Sequence, residues 1–217
     1  MDNKIVKNWS RDSEESMIQK IGEKVHRAPP LKERIAGATY RLKLQAEKLE
    51  QATARMQRHD KELFEKCVSA ELARDNSRAT IYANECAEVR KMARVILLSQ
   101  LAIEQVMLRL ETIEEFGEVM TGMAPVSDVI HTLKGKLSGI IPEVSYELGS
   151  VDEMLNGMMI DTGEASGTSL TVDTTDEASK KILSEAGMIA EQKMKEKFPD
   201  IPNADRATPE LEKPDHQ

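Results

Sequence analysis

Between Leu31 and Leu72 the apolar positions repeat with a period of seven. Ile35, Leu42, Leu49, Met56, Leu63 and Ala70 fall on one line, and the segment holds no proline and a single glycine. The pattern predicts one long helix carrying a heptad seam. Ala73-Arg74-Asp75-Asn76-Ser77 follows, where the Asp, Asn and Ser side chains supply turn and N-cap oxygens. A second run repeats the spacing at Tyr82, Val89, Ile96, Ile103 and Leu110. Folded back about Asn76 as an antiparallel hairpin, the two runs set Leu63 against Val89, Met56 against Ile96, Leu49 against Ile103 and Leu42 against Leu110, so every seam residue meets a seam residue. Two helices of about 40 residues at about 1.5 Å per residue give a rod roughly 60 Å long.

Elsewhere the pattern is shorter-ranged. Residues 1–30 read as a leader with a short amphipathic helix, on which Met17, Ile18, Ile21 and Val25 share a face before Pro29 and Pro30 close the segment. Gly117, Gly122 and Pro125 interrupt the second long helix, which defines a hairpin over about 31–117. Two covering helices follow within about 123–159. One carries Val126, Val129, Ile130, Leu133 and Leu137, and the other Val144, Leu148, Val151, Met154, Leu155 and Met158. Residues 161–176 are small, polar and acidic, the composition of a flexible linker. Residues 177–217 then form a C-terminal helix with Ile182, Leu183, Ala186, Ile189, Ala190 and Met194 on one side, stopped by Phe198-Pro199-Asp200-Ile201-Pro202. A tethered amphipathic helix followed by a proline-rich peptide is expected to be held out for a partner. The fold class is all-α: a long antiparallel helical hairpin, shorter covering helices and a flexible tail helix.

Composition sharpens this picture. Of 217 residues 40% are hydrophobic and 31% charged but only 3% aromatic, which suits Leu/Ile/Met/Ala seams between wet helices better than a broad core built on rings. The net charge of −8 is unevenly spread. Residues 143–217 carry 17 Asp/Glu against 7 Lys/Arg, whereas Lys24, Arg27, Lys32, Arg34, Arg41, Lys43, Lys48, Arg55 and Arg58 crowd the first helix and its approach. A basic first helix and an acidic C-terminal part are thus tethered to each other. The basic stripe fits anionic lipid, nucleic acid, or the acidic part of the chain itself. Nucleic acid is disfavoured because aromatic stacking and groove-reading features are missing. Trp9, with Ile5 and Val6 at helical spacing between Lys4 and Lys7, is a candidate interfacial anchor.

Signatures of catalysis are missing. There is no Gly-rich phosphate loop, no nucleophile elbow, no paired metal-binding histidines and no C-x-x-C, and His26, His59, His131 and His216 lie on separate segments. No enzyme activity, cofactor, metal or small-molecule substrate is expected. Cys67 and Cys86 fall about one layer apart across the hairpin folded at Asn76, within reach of an oxidative crosslink, although in a reducing cytoplasm both are expected as free thiols. No apolar run reaches about 18 residues and the N-terminus has no signal-peptide pattern, so a cytoplasmic protein touching membranes only peripherally is expected.

The runs ERIAGATYRLKLQAEKLEQ, RDNSRATIYANECAEVRKMARVILLSQLAIEQVMLRLET and MAPVSDVIHTLKGKLSGIIPEVSYEL together resemble the helical core of the ESCRT-III superfamily, over roughly residues 31–160. The likeness is to the archaeal CdvB-type cell division proteins without the winged-helix domain. It implies the ESCRT-III fold and a non-enzymatic subunit that polymerises with itself and with sister ESCRT-III subunits on membranes during cytokinesis. It implies work at the inner face of the cell membrane at the division site, and extraction by a CdvC-type AAA ATPase. On this likeness Trp9, Lys24, Arg27, Lys32, Arg34, Arg41, Lys43 and Lys48 are the membrane-binding candidates, and the acidic part folds back in a closed form. Phe198-Pro199-Asp200-Ile201-Pro202 is similar to the proline-rich peptides bound by the ATPase's MIT domain, with Phe198, Pro199, Ile201 and Pro202 as contacts and Ile182, Ile189 and Met194 as a second candidate set. The rival readings are a passive coiled-coil adaptor and a nucleic-acid-associated helical protein.

Overall fold

The computed structural model describes residues 30–116, 119–166 and 172–199 as five helices, with no strand among them. They are α1 (Leu31–Leu72), α2 (Asn76–Phe116), α3 (Val119–Leu137), α4 (Pro142–Ser166) and α5 (Val172–Lys197). Trp9, Lys24, Arg27, Ile201 and Pro202 lie outside the described residues.

The hairpin forms as its heptads require, α1 against α2. The backbone reverses at Ala73-Arg74-Asp75: Ala73 N–H donates to the Ser69 carbonyl at 3.1 Å and Asp75 N–H to the Ala70 carbonyl at 3.0 Å. Arg74 takes a left-handed φ of 57°, the conformation that glycine usually supplies at a helix C-terminus. Asp75 then caps α2, accepting from Arg78 N–H at 3.1 Å. This turn sits earlier than a fold about Asn76. Cys67 Sγ reaches the Ala79 carbonyl at 3.5 Å, Cys86 Sγ the Asp60 carbonyl at 3.9 Å, and Lys32 pairs with Glu114 at 3.4 Å. The register has therefore slipped by nearly one heptad. The slip leaves seam facing seam, because a shift close to seven residues returns each position to its own row: Leu63, Val89, Met56 and Tyr82 still share one apolar cluster. It does separate the cysteines, each of which faces a backbone carbonyl instead of the other thiol. The expected crosslink is not supported by this register.

The hairpin is unequal along its length. Towards the tip its packing is between two helices, with the small residues Cys67, Ala70, Ala79 and Ala83 buried there and a separate cluster around Leu63, Cys86 and Val89. Towards the base, α3, α4 and α5 close over it, and residues from all five helices merge into one core that includes Leu42, Ile103, Ile130, Leu148 and Ala186. The second long helix ends at Phe116, as expected, while Gly122 and Pro125 are carried inside α3; Pro125, the seventh residue of that helix, forgoes the hydrogen bond its amide would otherwise make to the Thr121 carbonyl. Gly122 is needed for the approach of α3 to α2: a Cβ at that position would stand 2.7 Å from Ile113 Cγ1. The chain leaves α3 through Ser138–Ile141, and Pro142 opens α4 at the first helical position, which suits its fixed φ and missing N–H.

α4 runs on to Ser166 and α5 begins at Val172, so the interval between them is far shorter than the acidic linker expected over 161–176. α5 is also not isolated. It lies antiparallel along α2, with Gly187 against Leu98 and Glu191 paired with Arg94, and it touches α3 as well.

Two substitutions test this packing in opposite directions. Gly122→Ala is expected to lower the unfolding free energy by about 1–3 kcal/mol, because Ile113 must move to admit the new methyl. Arg74→Gly is expected to raise it by about 1 kcal/mol by relieving the left-handed turn. Urea denaturation followed by circular dichroism reads both; a stabilised Gly122→Ala or a destabilised Arg74→Gly contradicts the geometry.

Candidate functional site

Arg34, Arg41 and Lys48 are seven residues apart, so α1 presents them in one row. α4 runs antiparallel to that row and meets each in turn. Arg34 pairs with Asp161, Arg41 Nη1 donates to Ser150 Oγ at 3.1 Å, and Lys48 Nζ donates to Glu143 Oε1 at 2.6 Å. Gly157 makes room for the first of these, since a Cβ there would come within 3.2 Å of Arg34 Nη2. The hydrogen bond from Lys48, reinforced by its charge, holds the Glu143 carboxyl below its ordinary range. The Arg34 side chain is only 19% exposed, whereas Glu143 is 74% exposed, so the row is half-covered at one end and open to water at the other. Exposed pairs of this kind contribute little to stability and weaken with salt. Lys32 is engaged by Glu114, while Lys43, Arg55 and Arg58 face solvent. Of the three partners the basic stripe could take, this conformation realises the chain's own acidic part, and α4 supplies it.

The second candidate site is occupied too. Ile182 and Phe198 are each 5% exposed, Met194 is half-buried against the core, and Ile189 remains 41% exposed. The expectation of a helix held out for a partner is thus corrected: its apolar stripe is spent on α2 and α3. A stripe of this kind fits a groove in the same chain or in another, and the short tether gives the intramolecular site a high effective concentration. At the end of α5 the Phe198 ring lies 5.8 Å from the Arg90 guanidinium carbon. Arg90 in turn forks onto Asp60, Nε to Oδ1 at 2.6 Å and Nη2 to Oδ2 at 3.0 Å, and Asp60 is 2% exposed. A buried carboxylate is tolerated when paired bidentately in this way. Sequence reasoning missed the trio. The signal was available, because Asp60 falls on the seven-residue row of Ala46, Thr53 and Cys67, all buried.

Two clusters resemble chemistry without supporting it. Ser127, His131 and Asp152 come together between α3 and α4, but Ser127 Oγ donates to Asp152 Oδ1 at 2.8 Å and His131 Nδ1 lies 3.2 Å from Asp152 Oδ2. The hydroxyl is bonded to the carboxylate instead of the imidazole, so the three groups do not line up in the order of a Ser-His-Asp triad. Asn156 Nδ2 also donates to Asp152 Oδ1 at 3.2 Å, making a structural hub. Both cysteines are free and buried. Burial raises the Cys67 thiol, and burial together with Asp60 pushes Cys86 up to about 11, which keeps both protonated and unreactive at neutral pH. Among the described residues no group of three or more His, Cys, Asp or Glu could hold a metal, and no helix is long and apolar enough to cross a membrane.

No family model matches the chain, and no solved structure matches it. Two curated relatives from Sulfolobus acidocaldarius do. Cell division protein B1 is 46% identical over 175 residues, covering 81% of this chain and 82% of the relative. Cell division protein B is 37% identical over 180 residues, covering 83% of this chain and 67% of the relative. Identity at that level over most of both chains agrees with the helical hairpin and its covering helices, and the chain belongs to the CdvB-type family of archaeal cell division proteins.

Proposed function

We propose that this chain is a non-enzymatic, filament-forming subunit of archaeal cell division, held here in a closed form, that polymerises on anionic membrane at the division site and is remodelled by a CdvC-type AAA ATPase. The observation that carries the reading is the seven-residue row Arg34, Arg41, Lys48 laid against Asp161, Ser150 and Glu143. A row of cations matched by polar and acidic groups across a mostly solvent-accessible seam is a reversible contact. An anionic bilayer offers the same cations a denser field of negative charge. Release of α4 frees the row and, with it, apolar surface on α1 and α4 that a neighbouring subunit can cover. The names of the two relatives support the cell-division role. The Pro-rich peptide after α5 supports the ATPase.

The test is purified protein with anionic vesicles, by co-sedimentation and electron microscopy. Filaments or coated and deformed vesicles are expected at low and moderate salt. Replacing Arg34, Arg41 and Lys48 by Glu is expected to weaken vesicle binding by about two orders of magnitude, since each basic residue at the surface is worth about 1 kcal/mol. Replacing Glu143 and Asp161 by Ala is expected to strengthen binding several-fold by removing the internal competitor. Uncoated vesicles with the wild-type protein would instead favour a passive coiled-coil adaptor.

A further inference from the structure

At the base of the hairpin a groove of about 770 Å³ runs between α2, the start of α3 and α5. It lies on the side of α2 turned away from the seam with α1. Leu108, Thr112 and Phe116, four residues apart, form its wall along α2, and Gly122 leaves the α3 side open. Ile113 and Ile182, 3% and 5% exposed, give it an apolar floor, whereas Leu108 and Phe116 stand 63% and 70% exposed at its edge. We propose that the chain's own N-terminal leader covers this groove while the protein is free in solution, with Met17, Ile18, Ile21 and Val25 seated on Leu108, Thr112 and Phe116.

Four observations select this occupant. First, the leader enters at the right place. Lys32 Nζ meets Glu114 Oε1 at 3.4 Å, so α1 begins level with the end of α2, at the Phe116 end of the groove. Second, the connection is long enough. His26-Arg27-Ala28-Pro29-Pro30 spans about 16 Å when extended, and the far side of α2 stands about 14 Å from the α1 axis at an ordinary helix spacing. The two prolines keep that connection stiff, which limits the entropy lost on docking.

Third, the two surfaces have the same period. Met17, Ile21 and Val25 are spaced by four residues, as are Leu108, Thr112 and Phe116, and rows of that spacing interdigitate when two helices pack. With the chain entering at Phe116, Val25 falls level with Phe116, Ile21 with Thr112 and Met17 with Leu108, each row about 12 Å long. Fourth, a charge is left over where the leader brings its opposite. Arg109 is exposed on the groove and has no ion-pair partner among the described residues, and Glu14, one turn before Met17 and Ile18, falls level with Gln105, the direction in which a helical side chain at 109 leans. While docked, the leader's apolar face is withheld from every other partner, and the docking itself does not depend on the reading of membrane binding.

The test uses the full chain. Gly22→Cys is combined with Thr112→Cys in the groove or, as control, with Ala36→Cys on an exposed position of α1, and a short bismaleimide is added; Cys67 and Cys86 are buried and do not compete. Position 36 follows position 22 closely in the chain and position 112 is far along it, so an undocked leader favours the control. The docked leader is expected to reverse that order, with the groove pair about ten-fold ahead of the control within one chain, and to lose the reversal when Ile18→Glu and Ile21→Glu are added, changes that lie outside the helical core. A groove yield no higher than the control, a reversal that survives Ile18→Glu with Ile21→Glu, or groove crosslinks that join two chains would each overturn the proposal.

Discussion

The seam between α1 and α2 is the contact on which everything else is built. Ile35, Leu42 and Leu49 on one helix and Ile96, Ile103 and Leu110 on the other are nearly or wholly excluded from water. Burial of each such side chain is worth about 1.5–3 kcal/mol. Small residues on the flanking rows, such as Ala38, Ala93 and Ala102, let the helices approach closely. Most of the stability of such helices comes from covering an apolar face and not from intrinsic propensity, and the covering helices have nowhere to dock until the hairpin exists.

What docks on the hairpin shares its apolar core, through Val144, Leu148, Val151 and Leu155 on α4 and Ile182, Ala186 and Ala190 on α5, and adds polar clasps at the rim. α4 meets α1 through charged and polar side chains at Arg34, Arg41 and Lys48, and the C-terminal part of α5 is clipped by Arg94 with Glu191 and by Phe198 on Arg90. Such contacts are sensitive to salt and to competing charge in a way that the seam is not. The buried oxygens Gln45 Oε1 and Thr53 Oγ1 have no hydrogen-bond partner among the described residues, a cost of about 1–3 kcal/mol each when nothing satisfies them. The covers are thus fixed to the rod by apolar burial, and only the rim of that contact is open to salt and competing charge.

How legible this was from the sequence follows the same division. The heptads at Ile35 and Tyr82 gave the hairpin, the ends of α1 and the turn residues. The register was misjudged by nearly a heptad, because a pattern that repeats every seven residues matches equally well after a slip of that size, and the left-handed Arg74 that sets it carries no turn signature. The basic row and the acidic C-terminal part were visible as charge. That α4 is the segment meeting the row, in step with it, required the fold. The docking of α5 was not legible, since the stripe of Ile182, Ala186 and Ala190 is the same whether its partner is α2 or another protein. Asp60 and Arg90 read as ordinary surface charges until the hairpin buried them.

The central claim is that the basic face of α1 exchanges α4 for an anionic membrane. Spin labels on Lys43→Cys and Tyr146→Cys, both exposed and on the facing stretches of α1 and α4, measure that exchange by pulsed dipolar spectroscopy. A short, narrow distance distribution is predicted in solution, and a long, broad one with the protein bound to anionic vesicles. A distribution that stays short and narrow on vesicles to which the protein is demonstrably bound would contradict the account.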